Sequence, residues 1–144
     1  MKNIFEETYQ TVQESKRMYD KSTTKQQEQD ARKLYHQAAD KIEELGQDAC
    51  GIYRQYEISR DAGNERLNIY DVIWENQVEN MINLMRENGI EEFTFSSTWS
   101  SAIEIAWLFQ KNGCKLEGLI EINSQYKVPF KDEYERVPAY LFRV

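Results

Sequence analysis

Apolar residues recur along the first part of the chain at helical spacing. Phe5, Tyr9, Val12 and Tyr19 are separated by 4, 3 and 7 residues, which predicts a helix over residues 2–20. The polar run Asp20-Lys21-Ser22-Thr23-Thr24 interrupts it, and Thr23 with Gln26, or Thr24 with Gln27, makes a capping box for a second helix. Ala31, Leu34, Ala38, Ile42, Leu45, Ala49, Ile52 and Tyr56 then step by threes and fours, a heptad seam. Gly46 and Gly51 lie off that seam, and each costs about 1 kcal/mol relative to Ala inside a helix, so a break near Gly46 is open. Residues 1–64 are therefore expected to form an antiparallel helical hairpin, closed by Gly63. A third helix, Asp71 to Asn88, presents Trp74, Val78, Met81, Ile82 and Met85, and stops at Asn88-Gly89-Ile90.

Past residue 90 the period becomes two. Phe93 and Phe95 flank Thr94 in a short strand. A helix from Trp99 to Asn112 follows. Cys114, Leu116, Gly118, Ile120 and Ile122 alternate with Lys115, Glu117, Leu119, Glu121 and Asn123 in a second strand. Residues 124–135 read as a polar loop, and Val137–Val144 as the last strand. Strand, helix, strand implies a right-handed parallel crossover between residues 93–97 and 114–122. The expected fold is α+β: the hairpin and third helix packed on a three-stranded mixed β-α-β-β sheet, with residues 65–144 as the α+β part of one compact unit. The Ala102–Phe109 helix is apolar almost all round, so it is expected to be the most buried.

Charge narrows the partners. The chain has 25 acidic and 18 basic residues, a net −7; residues 1–64 contribute −2 and residues 65–144 contribute −5. Such a surface repels nucleic acid and anionic membranes and attracts basic protein. Cys50 and Cys114 lie in apolar patterns without a CxxC pair, which reads as buried free thiols of a reducing compartment, the cytoplasm. No secretory leader and no membrane-spanning run is legible.

Candidate chemistry is sparse. Ser96-Ser97-Thr98-Trp99-Ser100-Ser101 places hydroxyls where a strand enters a helix. A nucleophile elbow needs flanking glycines and a base, and the only histidine, His36, sits on a distant helix. An anion pocket at Ser97, Thr98, Ser100 and Ser101 is the enzymatic or ligand-binding alternative, favoured by the helix dipole but lacking glycine and nearby cations. Capping by Thr98 or Ser97 with Ser101 is the plain reading. His36 and Asp40 share a helix face without further metal ligands, so no metal and no cofactor is expected. Asp71, Glu75 and Glu79 form an acidic stripe at a spacing that suits basic protein grooves made for nucleic acid. Tyr126 and Phe130 read equally as contact residues or as core.

The segments FTFSSTWSSAIEIAWLFQKNGCKLEGLIEIN (residues 93–123), LYHQAADKI (34–42) and AYLFRV (139–144) resemble a family of small uncharacterised proteins on mobile elements of Gram-positive bacteria. The resemblance implies no catalytic residue. Mobile elements carry small acidic inhibitors of host defence, including anti-CRISPR proteins, and that context implies a nuclease or CRISPR effector as partner. The expectation is a non-enzymatic binding protein. A homodimer through the second helix's seam is a further reading.

Overall fold

A computed structural model describes residues 3–70 and 75–144, Glu75 by its backbone alone. Helix α1 (Ile4–Asp20) starts on Asn3, whose side-chain oxygen accepts from the N–H groups of Phe5 and Glu6. Helix α2 (Lys25–Glu43) starts on Thr24, which accepts from the Gln27 N–H. Gln27 returns its carbonyl to the Thr23 N–H, so the capping box is made with its return bond one residue early. The two helices pack against each other, as the periodicity requires.

The long second helix does break. Gly46 stands at φ 101°, ψ 179°, and helix α3 (Gln47–Asp61) starts from it in a new direction. The heptad seam is thus shared: Ala31, Ala38 and Ile42 are buried on α2, and Ala49, Ile52 and Tyr56 on α3. The expected two-helix hairpin is corrected to three helices. That backbone conformation is nearly exclusive to glycine. An added Cβ at Gly46 would meet no atom within 4 Å, so Gly46→Ala tests the backbone alone. It should destabilise the protein by about 1–3 kcal/mol, read as a lower denaturation midpoint at unchanged slope.

Strand β1 (Leu67–Tyr70) was not expected. It pairs in parallel with β2 (Glu92–Ser96), Leu67 opposite Phe93 and Tyr70 opposite Ser96. Helix α4 (Glu75–Glu87) connects them, and Ile90 folds back to donate its N–H to the Met85 carbonyl as the Asn88-Gly89-Ile90 pattern predicts. Helix α5 (Ala102–Lys111) leads from β2 to β3 (Lys115–Lys127), and β4 (Tyr134–Arg143) returns. Among the described residues the sheet therefore has four strands, ordered β1-β2-β4-β3, in place of the expected three. The last strand lies between β2 and β3 and is antiparallel to both, so 93–97 and 114–122 run parallel to each other, as the crossover predicts, with β4 between them. The expected loop at 124–135 is shorter, because both strands run on into a long hairpin.

One hydrophobic core joins Phe5 of α1 to Phe142 of β4. At its centre four phenylalanines meet. Phe109 of α5 packs edge-on against Phe93 at 4.9 Å and Phe95 at 5.5 Å, and lies 5.4 Å from Phe142. At the other end a polar clamp ties α1 to α3. Tyr56 and Arg60 both donate to the Glu6 carboxylate, and Tyr9 donates to Asp61 at 2.7 Å under the Arg60 guanidinium. Burial pushes the Glu6 carboxyl up, but hydrogen bonds from Tyr56, Gln10 and Arg60 and the Arg60 charge outweigh it, so it titrates below the usual value. A lowered folded pKa gives stability that is present above the unfolded value and lost as pH falls through the folded one. Glu6→Gln should cost about 1–2 kcal/mol near neutrality and flatten the acid limb of the stability curve, measured by urea titration from neutral pH downward.

Candidate interaction surfaces

Among the described residues, two of the surfaces that expose large apolar side chains carry them in greatest measure. The first is the tip of the β3–β4 hairpin. The Lys131 N–H donates to the Val128 carbonyl, closing a turn with Pro129 and Phe130 at its two central positions. Phe130 has φ 64°, the only positive φ of a non-glycine among the described residues. A turn of this type takes glycine or asparagine at its second central position, because a Cβ there is strained. Phe130 is also wholly exposed, so no burial offsets the strain. The ladder below is tied by Val128 N–H to Glu133 and by the Lys127–Asp132 ion pair at 2.8 Å. Tyr126 is exposed beside it and packs edge-on against Tyr70 of β1. The structure thus places both of the sequence-predicted aromatics on one projecting hairpin, outside the core.

The second surface was missed. The expectation that α5 is the most buried helix is wrong. Ala102, Ile105, Ala106 and Phe109 face the core, and Leu108 is buried on one flank. On the opposite flank Ile103 is 74% exposed and Trp107 54%, with Trp99 at 55% before the helix begins. The second strand adds to this. A bulge at Glu117 shifts the register, so that Leu116 lies opposite Phe142 and Leu119 opposite Tyr140. Residues directly opposite in a ladder share a face. Phe142 touches Phe109, so Leu116 and Leu119 stand on the α5 side of the sheet. Leu119 is 68% exposed there. Without the bulge, residues three apart would point to opposite faces. The one signal in the sequence was Leu119 itself, a leucine among the charged positions of its strand.

The remaining predicted residues are scattered. Glu79 is exposed on α4; the side chain of Glu75 and the whole of Asp71 lie outside the described residues, as does Trp74. Ser101 is the residue before the helix, but its side chain makes no capping bond. Ser97 instead accepts from the Trp99 N–H at 3.1 Å, tightening the turn before the helix. Ser96 is buried and accepts from Asn68, which in turn accepts from Thr94, so this end of the cluster belongs to the sheet. Thr98 and Ser100 are exposed and Ser101 is half-buried. His36 and Asp40 are exposed on α2, His36 against the Tyr35 ring. No group of three or more metal-ligating side chains occurs among the described residues. Cys50 and Cys114 are free thiols, and burial pushes that of Cys114 up to about 11. No helix among the described residues is long and apolar enough to cross a membrane.

No curated protein and no solved structure matches the chain. One family does, across residues 51–144, from the first turn of α3 through the whole sheet to the final residue. It takes in both exposed surfaces and leaves out α1 and α2. The chain belongs to that family, described as a domain of unknown function (DUF7698).

Proposed function

We propose that this protein works by binding another protein and that the hairpin tip is its anchor. The observation that supports the reading is Phe130, a large aromatic held at a strained φ with its ring in solvent. Strain of this kind persists where the strained side chain is used, and aromatic anchors dominate binding energy when they fill a pocket on a partner. Tyr126 supplies a second contact on the same hairpin. The net charge of −7 favours a basic partner surface, and Glu79 on α4 and Glu135 on the hairpin are exposed to meet one. Resemblance to mobile-element proteins makes the partner class a nucleic-acid-binding host protein in the bacterial cytoplasm, such as a CRISPR effector or other defence nuclease. The protein then acts as an anti-defence inhibitor.

The test is capture from a Gram-positive bacterial lysate on the immobilised protein. One basic protein should be retained in stoichiometric amount, released by rising salt, and absent when Phe130→Ala is the bait. Capture that ignores both salt and Phe130 would refute the reading.

A further inference from the structure

We infer that the α5–β3 surface is the interface of a twofold dimer, with a second copy of this chain as its occupant. This goes beyond the reading of the hairpin tip and stands on different residues.

Area is the first argument. The exposed fractions of Trp99, Ile103, Trp107, Leu116 and Leu119 amount to roughly 600 Å² of apolar side chain per copy, at or above the largest patch of an ordinary monomer and close to the ~800 Å² per partner of a stable interface. Leu116 and Leu119 stand on the α5 side of the sheet, Ile103 and Trp107 on the exposed flank of α5, and Trp99 just before that helix.

Charge decides between occupants. On the patch side, Glu104 and Glu121 are matched by Lys111 and Arg136. Lys111 lies over the Trp107 ring at 4.8 Å, and Arg136 lies 3.4 Å from Glu121. The neighbourhood is neutral on a chain of net −7. A basic partner would find no attraction there. A second acidic copy would find a face it can approach without repulsion.

The contact is made by side chains and does not extend the sheet. The bulge at Glu117 interrupts the outer edge of β3. Farther along, the Asn64 side chain bonds both the N–H and the carbonyl of Asn123 and closes that edge. What remains is a flank of bulky residues on α5 beside leucines on β3. An isologous pairing sets Ile103 and Trp107 of each copy over Leu116 and Leu119 of the other.

Sedimentation velocity of the full chain at roughly 100 µM, far above the micromolar range of modest interfaces, should give twice the 17.2 kDa of one chain. Ile103→Asp and Leu119→Asp should each return the mass to one chain. At dilutions where the wild type is itself monomeric, their thermal midpoints should match its own, since both side chains are exposed in the monomer. Tryptophan emission should shift to the blue as the wild type is concentrated and should stay fixed in the variants. The dimer should persist at ~1 M salt, where charge contacts are screened, and in Phe130→Ala, which separates it from partner capture at the hairpin tip. A monomer at that concentration overturns the inference, and so does a dimer indifferent to both substitutions.

Discussion

Phe109→Ala should cost about 3–5 kcal/mol of folding stability. Phe109 is fully buried and contacts the rings of Phe93, Phe95 and Phe142. Removing it takes a large apolar area from the core and leaves a cavity walled by three other rings. Those rings sit on β2 and β4, whose ladder fixes their Cα positions, so the cavity has little room to collapse. The loss is a large share of the roughly 5–15 kcal/mol of a typical domain. Urea denaturation should show the midpoint falling steeply. The contrast is Trp107→Ala, two residues earlier on the same helix. Its side chain is larger, yet half of it is already in water. Its cost to the isolated chain should stay near 1 kcal/mol or below. Equal losses at the two positions would contradict the orientation of α5.

Phe130→Ala should leave folding stability within about 0.5 kcal/mol and weaken partner binding by about 2 kcal/mol or more, some thirtyfold. The two effects part because the ring touches nothing inside the molecule. Phe130→Gly sharpens the test. Glycine accepts φ 64° without strain, so this variant should gain up to about 1 kcal/mol in stability while losing the same binding as alanine. A side chain that is costly to the free protein and valuable to the complex is expected at a contact site. Calorimetry against the captured partner, beside denaturation of the free variants, reads both. A ring that mattered to folding would reverse the order, with glycine the least stable.

Much of the architecture was legible from the pattern of the chain. The first helix, its cap-bounded successor, the stop at Asn88-Gly89-Ile90 and the strand of Phe93 and Phe95 follow from periodicity and end signals, which are local properties. What escaped is of another kind. Strand β1 is four residues long and reads Leu-Asn-Ile-Tyr, too short a run to stand out from a linker. It exists because Leu67 and Ile69 are buried in the core and because β2 offers a free edge. The break at Gly46 was visible only as an option, since one glycine costs too little to end a helix unless tertiary packing turns the chain. The burial of α5 was misjudged because composition around a helix says how apolar it is and is silent on how many neighbours it has. The sheet covers one side and α4 one flank; no described residue covers the other. The bulge at Glu117 then reversed the parity of its strand, and the face of Leu119 with it. The candidate sites were legible to the same degree. Tyr126 and Phe130 stood out as aromatics in polar surroundings, while the turn that strains Phe130 is a matter of backbone geometry.

The order of the strands bears on how the molecule is made. β4 lies inside the sheet although it follows the other three strands in the chain. Until it arrives, β2 has one unpaired edge and β3 has none of its partners, so the nascent chain carries Phe93 and Phe95 on an open, sticky margin. The sheet can lock only once β4 has joined it, and a chain cut short before β4 would keep that margin open in place of a closed sheet.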